Sequence, residues 1–200
     1  MALVFENYNS STKQMKEECL KYIRQSNMEL NQIYFWTATI NKWIRLLEIE
    51  SYKNIILDSL EFLSVNKYLK IYAFVIMPNH IHFIIENLKL NGKEMPDVSF
   101  LKYTAHQFKK QIKSNADYNL NLFYVNSKNK NYEFWQRDAL AIELRTIDFI
   151  KQKLKYIHTN PIQDKWQLCN EPIEYKYSSA YFYETNQKNY SFLNDIYDQI

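Results

Sequence analysis

Two histidines one residue apart interrupt an apolar run, "YAFVIMPNHIHFIIENL", at residues 72–88. An extended strand alternates its side chains between faces. His80 and His82 therefore project together, while Ile81, Phe83 and Ile85 point the other way. Two imidazoles roughly 7 Å apart along a strand can converge on one divalent ion. Imidazole suits Zn, Mn, Fe or Ni, whereas Mg prefers oxygen. A bare pair of this kind is more often two hydrogen-bonded, half-buried histidines than a metal site.

The second chemical stretch is "LKYIHTNPI", residues 154–162. On a helix Tyr156 and Asn160 stand at i and i+4 and share a face. The amide oxygen is a hard metal ligand and the phenol is a latent oxyanion nucleophile. The chain has 17 tyrosines, so composition alone does not single out Tyr156. His158 points roughly 160° away from both around the helix, which assigns it to packing or a structural hydrogen bond.

These residues need elements to carry them. A polar helix is expected over residues 12–30, and a strand over 32–40 from its aromatic and β-branched content. A helix is expected over 51–66, with Ser51 as its N-cap. Strands over 69–77 and 80–86 meet at the "PN" turn and make a hairpin. Residues 87–98 read as a loop, 99–115 as a helix with a lysine-rich face, and 116–132 as a long loop. A strand over 132–144 follows. The last long helix covers 146–160 and ends where Pro161 disfavours helical geometry in the residue before it. This order is that of a ferredoxin-like, split βαβ sandwich of the α+β class with a central antiparallel sheet. One domain is expected, with its core at about 32–183, an N-terminal extension over 1–31 and a tail over 184–200.

Composition removes several rivals. The 200 residues contain one glycine, Gly92, so no Gly-rich phosphate loop can exist. Cys19 and Cys169 have no metal-ligand spacing and imply no disulfide scaffold. The N-terminus lacks the pattern of a signal peptide and no apolar run reaches transmembrane length. A cytoplasmic protein with no membrane partner is expected. The formal charge of +3 is too small to settle a nucleic-acid partner by itself.

The segments "MPNHIHFII", "FWQRD", "YIHTNP" and "YKYSSA" occur in that order. Together they resemble the IS200/IS605-like single-tyrosine HUH transposases, and more specifically the REP-associated tyrosine transposase branch. The resemblance runs from about Ile33 to Tyr183 and implies the HUH endonuclease fold. It implies that His80 and His82 bind the metal, Mg2+ or Mn2+, and that Tyr156 is the nucleophile. Asn160 completes the metal site, where IS200 relatives place Gln. The implied reaction cleaves single-stranded or hairpin DNA through a covalent 5′-phosphotyrosine. Relatives occur as dimers that donate the tyrosine helix in trans and as monomers, so a homodimer is one of two assemblies the resemblance allows. After Pro161 the chain lacks the Gly that many relatives carry.

For DNA contacts the sequence offers Lys102, Lys109, Lys110 and Lys113 near one helix, with Lys128 and Lys130 beyond it. A solvated lysine face explains them equally well. Arg137 stands beside Trp135, which offers a stacking plane for exposed bases. Two alternatives remain at this level: a non-catalytic ferredoxin-like nucleic-acid-binding module, and a structural metal site whose loss would unfold the chain.

Overall fold

The computed structural model describes residues 27–127, 130–137 and 139–199. The expected helix over 12–30 falls mostly outside them, and residues 27–30 are not helical. Cys19 and Lys128 also lie outside the described residues.

The apolar, β-branched stretches become β1 (Ile33–Thr39), β2 (Leu69–Ile76) and β3 (His80–Asn87). Helix α1 (Glu50–Val65) joins β1 to β2, and α2 (Pro96–Asn115) leaves β3. A small hairpin, β4 (Tyr124–Ser127) and β5 (Lys130–Tyr132), precedes β6 (Leu140–Glu143). Then come α3 (Ile147–Thr159) and the short α4 (Ala180–Thr185). The four-stranded sheet runs in the order β2-β3-β1-β6 with antiparallel neighbours. The β1–α1–β2 unit straddles β3, and the β3–α2–β6 unit straddles β1. This is the split βαβ arrangement the sequence predicts. Among the described residues no helix is long and apolar enough to cross a membrane.

Period-two alternation divides the sheet into two faces. On one, Trp36, Phe74, Ile81 and Phe83 pack beneath Tyr52, Ile56 and Leu60 of α1 and Phe100 and Phe108 of α2. On the other, Phe35, Val75, Ile84 and Ile142 pack beneath Phe149, Ile150, Leu154 and Ile157 of α3. A β-bulge between Ile71 and Ala73 turns Tyr72 and Ala73 both toward the α3 face. Thr146 caps α3, its side chain accepting from the Phe149 amide at 3.3 Å.

Several local expectations differ from the structure. Helix α1 starts at Glu50 with Ile49 as its N-cap and no side-chain cap. Ser51 instead accepts a hydrogen bond from Gln111 at 2.6 Å and ties α1 to α2. The loop expected at 116–132 folds into a 3-10 turn and the β4–β5 hairpin. The strand expected over 132–144 narrows to Leu140–Glu143. Upstream of it, Trp135 bridges Ile40 and the Gln136 amide donates to Thr39. Asn160 keeps helical backbone, φ −58° and ψ −44°, despite Pro161. The chain accommodates the proline by tightening into a 3-10 turn over Asn160–Ile162.

The "YKYSSA" segment has a physical role. Strand β2 is a sheet edge, and its unpaired backbone groups need covering. The Ile76 amide donates to Tyr177, and the Ser179 amide donates to Phe74. The Ser179 hydroxyl also accepts from the Phe74 amide at 3.0 Å. Further on, Phe192, Leu193 and Ile196 are buried, and the Asn194 amide donates to Ile71. The stretch expected as a tail is therefore part of the packed body.

Candidate active site

His80 and His82 sit at the start of β3 on its α3-facing side, and both are buried. Their ring centroids lie 4.7 Å apart. His80 Nδ1 is 2.7 Å from Asn79 Oδ1. The Asn79 amide is oriented by Nδ2, which donates to the Trp43 carbonyl at 3.2 Å. An amide oxygen only accepts, so His80 Nδ1 carries the proton and Nε2 keeps its lone pair. His82 Nδ1 lies 2.7 Å from Thr37 Oγ1, on the paired position of β1. His82 Nε2 is buried and has no hydrogen-bond partner among the described residues.

Helix α3 crosses above this pair. The Tyr156 ring is 5.1 Å from the His82 ring and 5.8 Å from Phe35. Phe35 in turn stacks on His82 at 5.4 Å. Just past α3, Trp166 packs on His80 at 5.5 Å. Asn160 lies in the chain between those two contacts, one helical turn beyond Tyr156. It is buried, and its Oδ1 lacks a partner among the described residues. One chain thus brings His80, His82 and Tyr156 together, with Asn160 on the helix face that covers them.

Burial holds the His80 pKa down at about 4, and Lys165 adds to the effect. His82 is held well below its ordinary value by burial first, then by His80, Lys153 and Lys165. Both rings are therefore neutral near pH 7, the form that binds metal. Buried polar atoms are normally satisfied. Four buried side-chain atoms among the described residues are not, and they include His82 Nε2, Asn160 Oδ1 and Trp166 Nε1. Two imidazole nitrogens and an amide oxygen fit a divalent ion that accepts mixed nitrogen and oxygen ligands. Among the described residues no group of three or more His, Cys, Asp or Glu could hold one. Asn160 Oδ1 is the buried, unpartnered oxygen on the helix that covers the two histidines. A ligand on His82 Nε2 would require the tautomer in which Nδ1–H donates to Thr37.

One residue of the site was not anticipated. Lys153 is buried on α3, its Nζ 4.9 Å from the Phe35 ring and 5.9 Å from the Tyr156 ring. The signal was available: a lysine at i−3 from the tyrosine, on the stripe of Phe149, Ile150, Leu154 and Ile157. His158 takes the structural role expected of it. Its Nε2 pairs with Ser179 Oγ at 2.9 Å, and its ring packs on Tyr183.

The expected DNA contacts are not brought to this site. Trp135 is a core residue, 6% exposed, packed on Phe100 and Phe108 and donating Nε1–H to Thr104 at 3.0 Å. It offers no stacking plane. Arg137 is exposed and ion-paired with Glu133 at 3.1 Å. Lys102, Lys109, Lys110 and Lys113 lie on α2, across the sheet from Tyr156. Lys102 pairs with Glu94, and Lys109 stands 4.6 Å over the Tyr132 ring.

The layout defines a class: a ferredoxin-like sandwich with paired imidazoles on a central strand and a tyrosine helix laid over them. Among solved structures, a REP-associated tyrosine transposase bound to a REP hairpin shares the fold. The TM-score is 0.54 at 17% identity, covering 88% of this chain and 89% of that one. A candidate transposase from Deinococcus radiodurans R1 is more distant, with a TM-score of 0.40 and 12% identity over 68% of this chain and 95% of that one. No protein-family model matches the sequence, and no curated protein matches it. At these identities the first likeness establishes a shared fold.

Proposed function

We propose that the chain is a metal-dependent single-stranded DNA endonuclease and strand transferase of the transposase type. It acts at or near DNA hairpins through a covalent 5′-phosphotyrosine on Tyr156. The observation that carries this reading is the meeting of Tyr156 with neutral, buried His82 beside His80, under a helix whose next turn presents Asn160. The shared fold with a hairpin-bound transposase agrees with DNA as substrate.

His80 Nε2, His82 Nε2 and Asn160 Oδ1 would hold Mg2+ or Mn2+, which supplies a Lewis acid for a phosphodiester oxygen. Asn79 and Thr37 fix the two imidazoles by their outer nitrogens. Phe35 holds the Tyr156 ring over His82. The Tyr156 oxygen attacks phosphorus in line, forming an O–P bond as the bond from phosphorus to the 3′ oxygen breaks. The phenol proton passes to solvent and the departing 3′ oxygen takes one up. An unperturbed phenol has a pKa of about 10, and Lys153 Nζ stands 5.9 Å from the Tyr156 ring. The phosphoester is conserved, so a second 3′ hydroxyl can reverse the step without a nucleoside triphosphate.

Incubation with labelled single-stranded hairpin DNA tests this reading. Wild type in Mn2+ should give a denaturation-resistant protein–DNA adduct, absent with EDTA and absent from Y156F, while Y156F still binds. Binding with no adduct under any metal would favour the non-catalytic module.

A further inference from the structure

The end of the sheet that carries His80 also carries a loop the proposed reaction does not use. After β1 the chain turns through Asn41–Trp43. Lys42 and Trp43 both take left-handed backbone, with φ of 56° and 58°. A bulky side chain in that region is strained. Burial does not offset the strain, because Trp43 is 60% exposed. Trp36 and Trp135, by contrast, are buried in the core.

The loop is held in this shape from several sides. The Asn41 amide donates to Phe134 at 2.7 Å, and Lys42 Nζ donates to the Leu122 carbonyl at 2.9 Å. Asn79 Nδ2 donates to the Trp43 carbonyl at 3.2 Å, while its Oδ1 accepts from His80 Nδ1 at 2.7 Å. A single side chain thus joins the backbone of Trp43 to a candidate metal ligand. Two cations stand over a second indole of the site, Trp166. The Arg45 guanidinium lies 6.0 Å and Lys165 Nζ 5.4 Å from the Trp166 ring, which itself packs on His80 at 5.5 Å. Arg45 also pairs with Glu48 at 2.9 Å, but both partners are more than half exposed and such pairs are weak. Strained backbone held in place by surrounding contacts clusters at functional sites. An exposed planar aromatic face, tied through Asn79 to the candidate site, matches an unpaired nucleobase.

We infer that Trp43 is a stacking platform for a base of the single strand next to the scissile phosphate, with Arg45 and Lys165 facing that strand's phosphates. The inference rests on the proposal that the chain handles single-stranded DNA. The platform accepts an unpaired base and not a duplex.

The test measures binding of a fluorescent hairpin oligonucleotide with a thymine-rich single-stranded extension, in EDTA, by the full chain and by W43G and W43F. A blunt hairpin serves as control. W43G should bind the extended hairpin about tenfold more weakly, W43F should keep most of the affinity, and the blunt hairpin should not discriminate. W43G should also unfold at the same temperature as wild type or higher, because glycine adopts left-handed backbone freely. Equal binding by W43G, an equal loss on both hairpins, or a lowered unfolding temperature would each overturn the platform; the last would make Trp43 structural. Adduct formation by wild type in Mn2+ is run alongside. No adduct together with the selective W43G loss leaves the platform and removes the nicking reading. An adduct with W43G indistinguishable from wild type does the reverse.

Discussion

At the residue scale, the proposed chemistry depends on how His80 and His82 are held by the ring nitrogens they would not offer to a metal. Thr37, across the ladder from His82, sets that ring by its Nδ1. Removing such an orienting partner costs about 10–100-fold in metal affinity. T37V should therefore bind Mn2+ at least about tenfold more weakly in calorimetry, with the fold intact. Lys153 stands beside Tyr156. K153M should lower the rate of adduct formation on the order of a hundredfold, as loss of one stabilising charge does. Its affinity for the hairpin should hold. The histidine pair was readable because a strand has a strict period of two. Lys153 was not, since a lysine in a sequence reads as solvent-facing until the helix rotation is known. Trp43 escaped notice for a related reason: left-handed backbone at a non-glycine residue leaves no mark in composition.

At the scale of elements, the site is a strand and a helix in fixed register, and two devices set that register. The β2 bulge presents Tyr72 and Ala73 together to α3. Ser179 covers the β2 edge and pairs with His158 on α3. S179A should destabilise the protein by about 1–3 kcal/mol, the usual penalty for leaving buried polar groups unpaired, as read by urea denaturation. Trp135 belongs to the opposite layer. W135A should lose about 3–5 kcal/mol of stability and, while folded, keep its DNA affinity, the contrary of a stacking residue. The four sheet strands and three long helices were legible from periodicity and turn residues. The break in the strand expected over 132–144 was not, because the aromatic run suits a strand wherever it packs. Nor was the sealing of the β2 edge by "YKYSSA", since edge pairing between distant segments follows no local pattern.

At the scale of the whole molecule, one chain brings the imidazole pair and the phenol together, with the amide one turn further along the same helix. The buried histidines also give the fold a pH signature. His80 and His158 are both held at about 4 by burial, and His82 well below its ordinary value, against 6.5 in an unfolded chain. Between those values the unfolded chain binds more protons than the folded one. The histidines' contribution to stability is therefore complete above about pH 6.5 and falls as the pH drops from there toward 4. Thermal unfolding of the metal-free protein should show this fall between pH 7 and pH 5, and H158Q should flatten it.

The most direct test is peptide mapping of the protein–DNA adduct formed from single-stranded hairpin DNA in Mn2+. We predict a phosphate linking the 5′ end of the cleaved DNA to Tyr156, with no adduct in H80A or H82A. An adduct on another residue, or one that forms in both histidine variants, would contradict the account.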